Sequence, residues 1–302
     1  MNMNLAANWE MEEALVDHLA SQLVRGRLGL FLGAGLSSFY GLPEWKELVN
    51  RACEAVGEAK LRDGEDPIVK MSGLKARRYP NDDRGFNALI KTALYRDLAL
   101  DFEQIRANKT LSAIGALVMA SRRGSAAQVI TLNYDDLLEI YLEFHGFVTA
   151  SIWEDHHWAN NDDVTIYHPH GSLPLATEDR ADSDKIVLAT RDYFEVMNSD
   201  FWKPLLQTIL RTHTFIHIGL SGSDMHLQSL VTGIRSKHAI VADRFAFHSV
   251  RFSTKNGPDD VTDTLKAEGV FTHVLNDYEN HLPTFLFKIC QRARKLRIEA
   301  IG

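Results

Sequence analysis

The chain has little cysteine: two residues in 302, Cys53 and Cys290, far apart in sequence. Without a Cys-x-x-Cys pair, a zinc ribbon and a thioredoxin-type dithiol are excluded, and no disulfide framework can be built, which fits a reducing compartment. No apolar run approaches the roughly 18–20 residues that a membrane-crossing helix needs. The opening Met-Asn-Met-Asn-Leu lacks the basic start and apolar core of a secretory signal. The expected location is cytoplasmic, with no membrane partner. Positive charge is not in excess either: 33 Lys plus Arg against 40 Asp plus Glu leave a net charge of −7. Non-specific grip on a polyanionic backbone needs a basic surface, so direct nucleic-acid binding is not expected. Internal repeats and low-complexity tracts are also missing.

What is present is the mixture of a globular protein, 45% hydrophobic and 24% charged, which can bury enough apolar surface to offset its ordering entropy. Met11, Leu15, Leu19 and Leu23 recur at helical spacing. Leu28 to Leu32 reads as a strand buried on both faces. A glycine-rich turn follows, then a helix from Glu44 to Val56. Residues 57–125 carry polar punctuation and helical faces (Phe86, Leu89, Ile90, Ala93, Leu94 and Leu98; Leu111 to Met119) with no strand signal. They read as a helical insertion within a single domain over 1–302. Beyond it, strand signals at Val129 to Leu132, Thr165 to His168, Ile186 to Leu188, Phe215 to Ile218, Phe245 to Phe252 and Phe271 to Leu275 alternate with helical ones. The helical segments are Asp135 to Phe144, Phe201 to Leu210, a helix from Asp224, and Tyr278 to Arg297. This alternation predicts an α/β fold, a doubly wound Rossmann-like parallel sheet.

The segment Gly33-Ala34-Gly35-Leu36-Ser37 sits between the first strand and a helix. In such sheets ligands bind outside the carboxyl ends of the strands, where glycines let the backbone approach a pyrophosphate and helix-start N–H groups donate. A tight strand-to-helix turn with no ligand is the competing reading. Ser38 stands where a third glycine would complete Gly-x-Gly-x-x-Gly, which disfavours a hydride-transfer dehydrogenase.

Gly33 to Ser37 followed by Gly41-Leu42-Pro43-Glu44-Trp45 resembles the opening NAD-binding signature of the sirtuin-like superfamily. Thr131-Leu132-Asn133-Tyr134-Asp135 resembles that family's T-Q-N-x-D, His170-Gly171 its H-G, and Gly219-Leu220-Ser221 its late G-T/S-S. The four occur in the family's order, each after an expected strand. The four zinc-binding cysteines of the deacylases are missing, Leu132 replaces glutamine, and Glu44 and Trp45-Lys46 replace Asp and Phe-Arg. These departures resemble the bacterial sirtuin-like effectors of antiphage defence, whose activity is NAD+ hydrolysis.

The resemblance implies NAD+ as substrate and no metal. Cleavage passes through a ribosyl cation-like transition state, as in glycoside cleavage. It makes Asn133 the group that holds the ribose hydroxyls or the attacking water, since an amide both donates and accepts. N-capping of the following helix is the alternative role. His170 becomes the general base, directly or through the ribose hydroxyls; shaping a turn with Pro169 and Gly171 is its alternative. Asp135 is expected to orient Asn133 or meet the ligand, Asp136 to begin the helix, Asp224 to cap one, and His168 to be a strand residue with no chemical role. Gly33, Ala34, Gly35, Ser37, Pro43, Glu44, Trp45, Thr131, Asp135, Gly171, Gly219 and Ser221 complete the expected NAD-binding set. Capping or core packing competes for Ser37, Glu44, Trp45 and Ser221.

Other readings are a non-catalytic NAD+ or ADP-ribose sensor and an NAD-dependent deacylase or ADP-ribosyltransferase. A metal hydrolase using Asp155-His156-His157 and His168-Pro169-His170 has no H-E-x-x-H to support it. Because constant NAD+ loss harms a cell, gating by homo-oligomer assembly or by a trigger protein, an ATPase or a phage component, is expected. The 57–125 segment is the candidate for self-association or for a lid.

Overall fold

The computed structural model describes residues 9–98, 102–119, 126–155, 162–175, 180–220, 224, 227–230, 232, 249–254 and 260–301. In chain order they form α1 (Glu12–Val24), β1 (Leu28–Leu32), α2 (Trp45–Ala55), α3 (Pro67–Arg78), α4 (Asp83–Tyr95), α5 (Phe102–Ala107), α6 (Lys109–Met119) and β2 (Ala126–Thr131). Then follow α7 (Leu137–Phe144), β3 (Thr149–Ile152), β4 (Val164–Tyr167), α8 (Thr190–Met197), α9 (Trp202–Thr212), β5 (Thr214–Ile218), β6 (Ser249–Ser253), α10 (Asp260–Ala267), β7 (Val270–Val274) and α11 (His281–Ile301). Two 3-10 turns, Ala34–Leu36 and Ser38–Tyr40, lie between β1 and α2.

The seven strands form one sheet in the order β3-β4-β2-β1-β5-β6-β7, and every neighbouring pair is parallel. β1 is central and fully buried, as its unbroken apolar run requires. Leu28, Leu30 and Leu32 pack with Leu15 and Leu19 of α1, Ile114 and Leu117 of α6, and Phe285 and Ile289 of α11. Phe31 faces the other layer with Tyr193 of α8, Leu206 of α9 and Leu265 of α10. From β1 the chain passes to β2, on to the edge at β3 and back between them at β4, then returns to the other side of β1 at β5. The direction of winding therefore reverses between β1 and β5, and the crevice at their carboxyl ends is the position a ligand takes in this architecture.

Among the described residues, the 57–125 segment is helical, and side-chain caps set where its helices begin. Asp66 Oδ1 accepts from Ile68 N at 2.7 Å with Pro67 at the first helical position. Asp82 Oδ1 accepts from Gly85 N, and Asn108 Oδ1 from Thr110 N and Leu111 N. Each satisfies helix-start N–H groups that lack a partner in the previous turn. α6 packs against α11 and β2, as the crossover between β1 and β2.

One expected strand is corrected, and two elements are found that were not expected. Ile186 to Leu188 is not a strand: the segment is buried, but Val187 N donates to the His170 carbonyl and its own carbonyl accepts from Tyr134 Oη. Burial without a strand neighbour gives the same short apolar run as a core strand. Thr149–Ile152 is a strand that the sequence conceals, since it runs along the sheet edge with three half-buried positions. α8 is a further helix, with Tyr193 and Val196, three apart, on its buried face. The last strands are at β6 and β7; Phe245 to His248 lie outside the described residues, and of the helix expected from Asp224 only 227–230 and 232 are described, all helical.

Candidate active site

At the winding reversal, the turn after β1 lies directly on the loop after β5. Gly33 N donates to Ile218 O at 2.9 Å and Gly35 N to Gly219 O at 3.0 Å. A Cβ on Gly33 would sit 2.7 Å from the Gly219 carbonyl oxygen, and one on Gly35 2.9 Å from the Gly219 Cα. Gly219 itself has φ of +71° and would place a Cβ 2.5 Å from Leu36 N. The three glycines thus have a structural cause nearer than the pyrophosphate: two backbones in contact, with no room for a side chain on either. Ala34, Gly35 and Gly219 remain exposed at the rim. Ser221 lies outside the described residues.

Asn133 follows β2, and its side chain reaches back across this turn. Nδ2 donates to the Gly33 carbonyl at 3.2 Å and to Ser37 Oγ at 3.1 Å, while its backbone N–H donates to Thr131 Oγ1. Among the described residues nothing donates to its Oδ1. Ser37, buried, also hydrogen-bonds the carboxyl of Asp135. The expected alternative of Asn133 as N-cap is not what is found: Asp135 Oδ1 accepts from Leu137 N, the first helical residue of α7. Asp136 holds the N-cap position, but its carboxylate accepts from Leu175 N and Arg180 instead of from helix N–H groups. Burial pushes the Asp135 carboxyl up to about 6, against the hydrogen bonds from Ser37 and Leu137 that lower it.

β4 is the neighbour of β2 in the sheet, so its carboxyl end delivers His168-Pro169-His170-Gly171 to the same edge. His170 is buried, its ring edge-on to Tyr193 with centroids 5.3 Å apart. Burial depresses its pKa, partly opposed by the charge of Asp224, so the ring is neutral at pH 7. Tyr193 Oη donates to Asp224 Oδ2 at 3.1 Å, and Asp224 Oδ1 caps at Leu227 N. Gly171, with φ of +87°, is pressed against the Lys185 carbonyl oxygen, 2.6 Å from where a Cβ would lie. The loop beyond it returns beneath His170 in this way.

His168 departs from its expected role as a bystander. It lies just past β4 and is fully buried, with Nε2 2.7 Å from Glu139 Oε1 and Nδ1 3.3 Å from the Asn133 carbonyl. Glu139 was not among the sequence candidates. The signal that could have found it is a carboxylate on the buried side of α7, three positions from Asp136, beside Leu138 and Leu142 of the core.

Pro43 is buried under the turn, while Glu44 is exposed and supplies only its carbonyl to Leu48 N at the start of α2. Trp45 is half-buried and packs against the core. Among the described residues no group of three or more His, Cys, Asp and Glu is placed to hold a metal ion, and no helix is long and apolar enough to cross a membrane.

Residues 127–272 match the family model of the SIR2-like domain. Over 231 residues the chain is 22% identical to the NAD(+) hydrolase ThsA of Enterococcus faecium, the alignment covering 74% of this chain and 43% of that one. It is 24% identical over 230 residues to the NAD(+) hydrolase ThsA of Acinetobacter baumannii, covering 74% and 42%. Over 214 residues it is 25% identical to Defense-associated sirtuin 2 of Bacillus subtilis, covering 70% of this chain and 19% of that one. The chain spans less than half the length of these relatives. The ordered motifs, carried to one edge by the parallel sheet, thus accompany a stretch over 127–272 that is similar to the SIR2-like domain.

Proposed function

We propose that this chain hydrolyses NAD+ at the nicotinamide–ribose bond, giving nicotinamide and ADP-ribose, and that it serves bacterial antiphage defence by depleting NAD+. The observation that carries the reading is the delivery of Asn133 and His170 by the adjacent strands β2 and β4 to one edge, beside the β1 turn. The similarity to NAD(+) hydrolases and to a defence-associated sirtuin supports it.

The chemistry asks little of an acid, because the departing nicotinamide takes electrons that neutralise its own pyridinium charge. It asks for a positioned ribose and a base for water. Asn133 suits the first task. Its donor end is fixed on Gly33 and Ser37, which aims its acceptor oxygen and leaves it available to a ribose hydroxyl. His170 suits the second, because a neutral imidazole can accept a proton at pH 7. Asp135 acts through Ser37 on the orientation of Asn133. Gly33, Ala34, Gly35, Ser37, Thr131, Gly171, Gly219 and Ser221 form the dinucleotide cradle, with Pro43, Glu44 and Trp45 on its flank. Activity is gated by homo-oligomerisation or by a trigger partner. Residues 57–125 act as the assembly surface or lid.

Incubation of the pure chain with NAD+, with and without candidate triggers, tests the reading by release of free nicotinamide. Release is expected from the wild type, and its loss from Asn133→Ala and His170→Ala. Retained NAD+ binding without release under any condition would point to a sensor instead. Transfer of label from NAD+ to protein would point to an ADP-ribosyltransferase.

A further inference from the structure

The buried pair beneath the edge is not needed to build the core. A histidine and a glutamate sealed from water each carry a desolvation cost, and apolar residues of similar volume often serve stability as well or better. What the pair supplies is direction. Glu139 stands in the first turn of α7, and its Oε1 takes hydrogen bonds from both His168 Nε2 at 2.7 Å and Ser151 Oγ at 2.9 Å. The His168 backbone N–H is tied to the Ile152 carbonyl at 2.7 Å. Its ring is thereby held from α7 and from β3, and the remaining ring nitrogen meets the Asn133 carbonyl at 3.3 Å. Pro169, whose φ is fixed by its ring, is the one residue between this imidazole and His170.

We propose that His168 and Glu139 are a positioning pair that fixes the spacing between Asn133 and His170. One side chain is bonded to the first of these residues and lies two positions from the second, so its placement sets the distance between the amide and the base. The facing carboxylate supports an ionic form: desolvation works against charge on the ring, yet Glu139 and the more distant Asp135 raise its pKa. The Glu139 carboxyl is correspondingly held down by His168, despite its burial. An imidazolium donates from both nitrogens, which is what two acceptors on opposite sides of the ring require.

The catalytic consequence rests on the NAD+ hydrolysis reading, whereas the positioning itself is measurable without turnover. In His168→Gln, which loses the reach to the Asn133 carbonyl, hydrogen exchange at residues 131–135 should quicken about tenfold while the melting temperature falls only modestly. Glu139→Ala should do the same by releasing the ring, and Glu139→Gln, which still accepts from it, should stay close to wild type. With NAD+, His168→Gln should lower kcat about 10- to 100-fold with KM changed less than about twofold. Combining it with Asn133→Ala should cost no more than Asn133→Ala alone, since both act on one group.

Wild-type exchange at 131–135 in both His168→Gln and Glu139→Ala would overturn the proposal, as would losses that multiply in the double variant. Should His168→Gln fail to fold, Glu139→Ala carries the exchange measurement. If the wild type releases no nicotinamide, the hydrolysis reading fails, and the exchange result still decides the positioning.

Discussion

Asn133 Nδ2 lies 3.1 Å from Ser37 Oγ, so the residue after the second strand is held by the turn after the first. The same hydroxyl reaches Asp135, and one buried serine thus ties the turn after β1 to two positions of the loop after β2. Removing it by Ser37→Ala leaves a buried amide nitrogen with one acceptor fewer and a buried carboxyl with one donor fewer. Unsatisfied groups of this kind cost about 1–3 kcal/mol. Urea unfolding should show a loss of that size, and nicotinamide release should fall further than the loss of folded protein accounts for.

Gly219→Ala should be among the most damaging single-methyl changes in the chain. The added Cβ meets Leu36 N at 2.5 Å and the Gly33 carbonyl oxygen at 2.7 Å, in a residue already at φ of +71°. Both the αL cost and the clash apply, so destabilisation should exceed about 2 kcal/mol. Gly41→Ala is the control: its φ is +81° with nothing within 4 Å of the new methyl, and about 1 kcal/mol is expected. Thermal melts of the two variants separate backbone strain from crowding, and equal losses would mean that the two loops readily part.

The central sheet was legible because β1, β2, β4 and β5 announce themselves as apolar runs between turns. The glycine turn was legible because its motif follows such a run. What stayed hidden shares a physical cause. β3 is an edge strand with little burial to impose a pattern, and Ile186 to Leu188 is buried by a loop, which selects the same residues as a strand. Asp135 and Asp136 were assigned by position alone. Which carboxylate turns toward α7 and which toward Arg180 depends on Leu175 and Arg180, some forty residues further on. Glu139 and His168 look like a surface carboxylate and a strand histidine until the sheet brings them together. Long-range pairing of polar groups leaves no local periodicity to read.

Asp135 gives stability an unusual slope with pH. Its folded pKa of about 6 lies above the ordinary 3.8, so the native state holds the proton more tightly than the unfolded chain does. Between those values the unfolded chain has released a proton that the native state keeps, and this carboxyl's contribution to stability is lost as pH rises through the window. Asp135→Asn keeps acceptors for Ser37 and Leu137 without the charge. It should be more stable than wild type by roughly 2–3 kcal/mol at pH 7.5, with the advantage shrinking toward pH 4. Urea unfolding at the two pH values checks the sign. An advantage that grows on acidification would show the carboxylate to be stabilised in the fold rather than burdened by it.

α4 grips the loop that passes beneath His170. Asn87 Nδ2 donates to the Ser183 carbonyl at 2.8 Å and to that of Asp184 at 3.1 Å, and Tyr95 Oη donates to the Leu173 carbonyl at 2.7 Å. The loop in turn donates Val187 N–H to the His170 carbonyl at 2.9 Å. Tyr95→Phe removes one donor from a buried carbonyl and should cost about 1–2 kcal/mol; Asn87→Ala removes two bonds and should cost somewhat more. If the helical segment governs the histidine through this loop, exchange of the Val187 amide should quicken in both variants well before global unfolding. KM for NAD+ should then rise in the same order, Asn87→Ala above Tyr95→Phe. Quickened exchange with unchanged kinetics would confine the segment to a structural role at this contact and leave gating to some other face of it.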